Sequence, residues 1–364
     1  MTHPTDLDFF AGLAITGTVL GVDATSDLAT VQEVLGDDHF YEQPRMNKSD
    51  WEYATSDYGL VEIGWSREHG SAEWICGYAG TQNHRLSRGS RRTRRRTAGL
   101  RLRQRYGQFR PLLNIEELRA VVEDHGFTMD STPQWVGADF SLYWVPGVST
   151  TMNVAVSDPD WGPPGTVAKM LGGGASEQHL NHKARVAFDG EKKQFNAYGK
   201  ELRKLTDAQR AEWLDEHQPA AGRDRELWWS FLRSPHSYRE NEQPPWTELM
   251  YALDREAAVR GIDTPDRAAL TQLRWAGNPD LAERPTPDEA ITQWLATTPT
   301  LDEGRRLAAA TTLTPDEIRL SRRLRDQSHE LRPHLPSITN PTIADHLRTW
   351  ITLGPQLLRH PYFG

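Results

Sequence analysis

The sequence predicts an α+β N-terminal domain built from helix-hairpin units, followed by an all-α C-terminal domain. Three observations carry that division. Between residues 61 and 156 apolar residues alternate with period two, flanked by short segments of helical spacing. Beyond about residue 200 the strand signals stop and helix-start signals recur. Between the two lies a stretch dense in glycine and proline. The resulting boundaries are 1–158 for the α+β domain, with a basic insert at 85–110, 159–199 for a linker and 200–364 for the helical domain. A length of 364 residues suits two domains, and 37% hydrophobic with 25% charged residues allows a packed core.

Taken in order, Leu7 to Leu13 is a short, mostly apolar segment, and a glycine-punctuated stretch from Ile15 to Gly21 follows. Thr25 to Leu35 reads as a helix, with Leu28, Val31, Val34 and Leu35 at helical spacing and Gly36 as its C-cap. Val61, Ile63 and Trp65 then alternate on one strand face. After a turn at His69-Gly70, Trp74, Cys76 and Tyr78 alternate on the next. The same order recurs. Asn114 to Glu117 reads as a capped helix start, Leu118, Val121 and Val122 give its stripe, and Gly126 ends it. Phe140, Leu142 and Trp144 alternate, Pro146-Gly147 turns the chain, and Val148 to Val156 returns as a strand. Helix, glycine and hairpin thus occur twice, as duplication of one unit would produce.

Trp161-Gly162-Pro163-Pro164-Gly165 and Gly172-Gly173-Gly174 mark the linker. In the helical part, Thr206 to Gln209, Thr286 to Glu289, Thr300 to Glu303 and Thr314 to Glu317 each match a capping box, two of them with proline at the first helical position. Most of the thirteen tryptophans fall on apolar faces. Trp228-Trp229 departs from this: neighbours on a helix point about 100° apart, so one of the two is expected to meet a second surface, such as the N-terminal domain or a partner.

The net charge of −8 conceals an uneven distribution. Eleven arginines and no acid lie between Arg85 and Arg110, which leaves −19 on the rest of the chain. Residues 94–105 inside this block suit a short helix. The block reads in three ways: a solvated surface, a contact with an acidic protein surface including the chain's own, or a nucleic-acid contact; for the two binding readings the candidate residues are Arg91, Arg92, Arg94, Arg95, Arg96, Arg101, Arg103 and Arg105. Aromatic interleaving for base stacking is limited to Tyr106 and Phe109 at the block's end.

Catalytic signatures are sparse. Cys76 is the single cysteine, which excludes an internal disulfide framework, a Cys-based zinc site and an iron–sulfur cluster. Its place among Trp74 and Tyr78 predicts a core thiol. Gly172 to Ser176 lacks the second glycine and the Lys-Ser/Thr of a phosphate loop. His179 and His182, spaced to share a helix face and with Glu177 and Asp189 nearby, are the weak metal candidates, but they are only a pair, without Cys and without an HExxH frame. No metal site or cofactor is therefore expected. No apolar run reaches the roughly 20 residues that span a bilayer, and no signal-peptide pattern opens the chain, so the expected setting is cytoplasmic, with no membrane partner.

From Gly17 to Glu62 the sequence has a distinct rhythm: a Gly-Thr turn, Leu20-Gly21, a short helix, Leu35-Gly36-Asp37, then Asp57-Tyr58-Gly59-Leu60-Val61-Glu62 entering a hairpin. Over residues 17–84 it resembles actinobacterial proteins of the immunity type associated with polymorphic toxins. More loosely it is similar to the helix-then-hairpin units of lipoprotein-assembly and β-lactamase-inhibitor-like folds. The resemblance implies a protein partner, such as a toxin, that the chain masks. The leading expectation is a non-enzymatic cytoplasmic binding protein of this immunity or antitoxin-like kind, whose acidic surface suits basic partners. The alternatives are a nucleic-acid-associated regulator using Arg85–Arg110, and an enzyme of unrecognised type with its site near His179.

Overall fold

A computed structural model describes residues 5–36, 40–42, 51–88, 100–131, 139–147, 150–157, 159–172, 184, 187–220, 222–234, 244–276, 278, 281 and 284–359. The N-terminal part is an antiparallel sheet with helices, and the C-terminal region is all helical. By contacts the chain divides into two compact units. One comprises Met1–Ser176, Asp302–His329 and Leu353–Gly364, the other Glu177–Leu301 and Glu330–Thr352. The units therefore differ from the contiguous 1–158, 159–199 and 200–364 division, for reasons that lie in one strand and one helix.

The first unit opens with α1 (Asp6–Thr16) and α2 (Leu28–Leu35). Strands β1 (Phe40–Glu42), β2 (Trp51–Asp57), β3 (Val61–Glu68) and β4 (Ile75–Thr81) follow. After α3 (His84–Arg88) and α4 (Leu100–Tyr106), a second set runs α5 (Ile115–Asp124), β5 (Asp130–Ser131), β6 (Phe140–Trp144), β7 (Thr151–Ala155) and β8 (Val167–Gly172). One eight-stranded antiparallel sheet results, in the order β1-β2-β3-β4-β8-β7-β6-β5. A helix followed by a four-stranded meander thus occurs twice, and the last strands of the two halves, β4 and β8, pair at the centre.

That central position explains the departure from the expected linker. Val167–Gly172 lies inside 159–199, yet it alternates buried and half-buried residues and pairs with both β4 and β7. Gly172 belongs to this strand; a Cβ there would sit 2.9 Å from the Gly17 carbonyl oxygen and 3.0 Å from that of Ala79. The breaker cluster at 161–165 is the β7–β8 connection. Of the short helix read over 94–105, the part from Leu100 is described, as α4 (Leu100–Tyr106), and residues 94–99 lie outside the described residues.

On the inner sheet face Val61, Ile63, Trp65, Ala79, Met152, Val154 and Met170 form one core with Phe10, Leu13, Leu118 and Val122 from α1 and α5. Each buried Val, Ile, Leu, Phe or Met side chain here contributes about 1.5–3 kcal/mol. The register shifts between Gly64 and Trp65, which pairs Trp65 with Cys76 but Gly64 with Tyr78. The bulge flips the alternation, so Cys76 faces the core and Tyr78 the opposite side. Trp74, Cys76 and Tyr78 therefore do not share a face as strict period two requires.

The expected helix start at Thr25 also moves. Asp27 caps α2 by accepting from the Thr30 amide at 2.7 Å, while Thr25 and Ser26 stay in the preceding loop. There the Asp23 carboxylate accepts from the Thr25 amide at 2.9 Å and hydroxyl at 2.7 Å. Asp23 is fully buried, as are Arg322 and Arg325 of a much later helix, α13 (Pro315–Leu331). Arg322 donates to Asp23 at 2.5 Å and to the Thr16 carbonyl at 3.1 Å, and also pairs with Asp326. Arg325 donates to Asp23 at 2.8 Å, to the carbonyls of Gly21, Pro355 and Leu357, and to the Thr25 hydroxyl. This network brings 302–329 and 353–359 into the first unit. Burial by itself would raise the Asp23 carboxyl, but the guanidiniums of Arg325 and Arg322 override it and hold the group well below the usual carboxylate range.

The second unit contains α6 (Lys192–Leu202), α7 (Asp207–His217), α8 (Arg223–Leu232), α9 (Pro244–Val259), α10 (Pro265–Trp275), α11 (Pro287–Thr297) and α14 (Pro341–Leu353). Thr206 and Thr286 make the predicted reciprocal caps with Gln209 and Glu289. In the first unit Thr314 does the same with Glu317 ahead of α13, and α12 (Leu301–Ala309) starts where the Thr300 signal places it. Trp228 and Trp229 are both buried, 5.6 Å apart edge to face. Trp228 packs toward Phe195, while Trp229 donates to the Gln218 side chain at 3.1 Å. Both tryptophans belong to this unit's own core, because α8 is covered on two sides, so the second surface expected for one of them is internal. Among the described residues no helix is long and apolar enough to cross a membrane.

Replacing Arg325 or Asp23 by Ala should destabilise the first unit by about 3–5 kcal/mol, because each leaves a buried charge without its partner. Urea unfolding followed by tryptophan fluorescence measures this. Because folding lowers the Asp23 pKa, its stabilisation is complete above about pH 4 and is lost as pH falls below it. Asp23→Asn should therefore flatten the acid limb of the stability–pH curve.

Candidate functional site

Residues directly opposite one another on paired strands share a sheet face. The pairs Asp57–Glu62, Thr55–Gly64, Tyr53–Ser66 and Trp51–Glu68 place all eight residues on the outer face of β2 and β3, away from α1 and α5. Tyr41 joins them through Thr55, and Ile75 through Ser66. The outcome is an aromatic stripe in which Tyr41 is 59%, Trp51 44%, Tyr53 48% and Ile75 48% exposed. Glu68 and Glu73, both exposed, flank it. The four share the outer face of adjoining strands, and large apolar groups gathered on one exposed face are unusual on a surface with no partner.

At the inner end of the stripe the face turns polar. Tyr78 lies flat over Gly64, where a Cβ would meet its ring at 2.1 Å. Its hydroxyl donates to Glu62 at 2.7 Å, and burial followed by that carboxylate pushes the Tyr78 phenol up. Gln82 donates to the same Glu62 oxygen at 3.0 Å. Arg85, from α3, forks between Glu62 at 2.6 Å and Asp57 at 3.0 Å. This end of the face thus holds carboxylates oriented by donors, with a guanidinium seated on them.

The arginine block divides accordingly. Its first member, Arg85, is taken up on this face, and its last, Arg110, pairs with Asp6 and Glu117. Glu117 therefore turns to Arg110, and the Asn114 cap is instead made to the Glu116 amide at 2.8 Å. Arg103 and Arg105 lie on α4, half-buried, and form no ion pair among the described residues. Their Nε atoms are buried without a hydrogen-bond partner, and the Arg105 guanidinium lies 5.5 Å from the Tyr106 ring. Arg101 is on the same helix, its side chain outside the described residues. Arg91, Arg92, Arg94, Arg95 and Arg96 lie outside the described residues, as do His179 and His182. Tyr106 and Phe109, the aromatics available for base stacking in the sequence, are buried in an edge-to-face cluster with Phe9 and Phe10.

Sequence reasoning missed the stripe because it placed no strand before Val61. The signal was present: Trp51, Tyr53 and Thr55 alternate with period two and are strand-favouring types. Compared with known protein families, curated proteins and solved structures, the chain matches none.

Cys76 is buried beside the inner face, where burial pushes its thiol up and its sulfur donates to the Tyr78 carbonyl. Its reaction with a thiol reagent at neutral pH should be slow in the folded protein and should rise sharply in denaturant. Equal rates in the two states would contradict a core thiol.

Proposed function

We propose that the chain is a non-enzymatic cytoplasmic binding protein, of the immunity or antitoxin-like kind, that masks a protein partner. The observation that carries this reading is the exposed Tyr41-Trp51-Tyr53-Ile75 stripe on the outer face of β1–β4. Tyrosine and tryptophan are the residue types that dominate binding hot spots, because they bury large area at low entropic cost. The resemblance of residues 17–84 to immunity-type proteins favours the same reading, since the stripe lies inside that segment. The buried thiol agrees with it, as Cys76 is removed from chemistry.

A second reading, a nucleic-acid-associated regulator, is favoured by Arg103 and Arg105, which form no ion pair with an acid among the described residues. Against it stand the capture of Arg85 and Arg110 by acids of the same unit and the burial of Tyr106 and Phe109. The charge of −19 outside the block also repels a phosphate backbone.

Copurification from the native host tests the first reading, run with wild type and with Tyr41→Ser/Tyr53→Ser/Ile75→Ser. These positions are exposed, so the triple variant should keep the wild-type melting curve. A protein retained by wild type and lost with the variant supports masking through this face. A protein retained equally by both defeats it. For the second reading, duplex DNA titrated at several salt concentrations should show only weak binding that vanishes at physiological salt. A slope of log K against log salt near −4 to −5, with roughly five phosphate contacts at about −0.9 each, would reverse the order of the two readings if Arg103→Ala/Arg105→Ala reduced it.

A further inference from the structure

The two halves of the sheet present the same outer position under different cover. Counted from the β2–β3 turn, Asp57, Thr55 and Tyr53 face outward in β2; counted from the β6–β7 turn, Trp144, Leu142 and Phe140 do so in β6. Tyr53 and Phe140 thus hold the same rank. Phe140 is half-buried because the long β7–β8 connection brings Trp161 against it, ring centroids 5.2 Å apart. The Trp161 ring in turn carries the Lys169 ammonium at 5.2 Å and the His84 ring at 4.6 Å. In the first half the connection between Glu68 and Ile75 is short. Its one aromatic, Trp74, packs inward on Phe40 under the Arg67 guanidinium. No segment of that turn covers Tyr53.

The charge on the open half is one-sided. None of the outward residues of β1–β4 is basic, and Glu68 and Glu73 have no cation partner among the described residues. The cation this face does hold is a guanidinium, that of Arg85, forked between Glu62 and Asp57. Flat exposed rings beside carboxylates suit a guanidinium better than an ammonium, because Arg stacks on the ring while its fork meets the acid.

From these observations we infer that the outer face of β1–β4 is a docking surface for an arginine-presenting basic segment of a protein partner. This rests on the binding-protein reading above and names the chemistry of its partner. Tyr41 and Tyr53 receive guanidinium planes, Glu68 and Glu73 receive their donors, and Arg85 marks the inner limit of the surface. The covered half shows the same combination made within the chain, an aromatic ring bearing a cation over the equivalent position.

The test is a titration of the full chain with fluorescein-labelled nona-arginine, nona-lysine and nona-glutamate peptides, read by anisotropy at physiological salt. Nona-arginine should bind several-fold more tightly than nona-lysine, and nona-glutamate should not bind. Tyr41→Ser/Tyr53→Ser should weaken nona-arginine at least tenfold, and Glu68→Gln/Glu73→Gln severalfold. Circular dichroism melting should stay unchanged in both. Equal affinity for the two basic peptides, or an unchanged affinity in the tyrosine variant, overturns the proposal. So does nona-arginine binding that appears only after Arg91, Arg92, Arg94, Arg95 and Arg96 are replaced by Ala, since the occupant is then the chain's own block. Concentration-dependent self-association lost in the tyrosine variant overturns it in favour of a second copy. If the peptide fails while a host protein is still lost with the stripe variant, the masking reading survives and the arginine chemistry alone falls.

Discussion

The first unit depends on a carboxylate that has no access to water. Asp23 sits in the loop between α1 and α2, where Leu20 and Gly21 take left-handed backbone and the chain folds back on itself. A buried acid in such a loop is tolerable only with its charge met in full. Arg322 and Arg325 meet it, and the same two guanidiniums satisfy the loop's own carbonyls at Thr16 and Gly21. The glycines that give the N-terminal segment its rhythm have physical duties here. A Cβ on Gly17 would approach the Arg322 guanidinium at 3.1 Å, and one on Gly21 would strike the Arg359 carbonyl at 2.3 Å. The motif on which the resemblance rests is thus, in part, the shape of a seat for two arginines.

With α1 and that loop fixed against one face, the sheet is free to differentiate on the other. Both halves use the same succession of helix and meander and meet along β4 and β8, where Gly80 and Gly172 let backbones come close. Their outer faces then diverge through loop length alone. A long connection supplies Trp161 to one half, and on the other the short β3–β4 turn sends its aromatic, Trp74, inward and Tyr41 and Tyr53 stay exposed.

Much of the architecture was legible in the sequence. The division into a mixed part and a helical part followed from a change of period, and the capping boxes at Thr206, Thr286 and Thr314 fixed three helix starts through local chemistry alone. What escaped was non-local. β8 reads as linker because Gly162, Pro163, Pro164 and Gly165 punctuate one side and glycines the other, while its partners lie far away in sequence. Arg322 and Arg325 look like solvated helix residues until Asp23 is placed beside them. Tyr78 changed face because a one-residue bulge has no signature in hydrophobic period. The arginine block was conspicuous by charge, yet its described ends Arg85 and Arg110 proved to be structural, and the aromatic residues of the stripe lay in two strands, β1 and β2, that were not assigned.

The discontinuity of the first unit also bears on how the protein is made. Asp23 leaves the ribosome about 300 residues before the two arginines that neutralise it. At roughly 5–20 residues per second, that interval lasts about 15–60 s. Throughout it the nascent sheet lacks the counter-charges for its own loop and cannot close in its final form. The helices of the second unit from α6 to α11 emerge in the meantime, whereas α14 follows α13 in the chain. Completion of the N-terminal unit is thereby deferred until α13 has been translated, so a truncated product lacking that helix would be marked by an unclosed loop rather than by a missing domain.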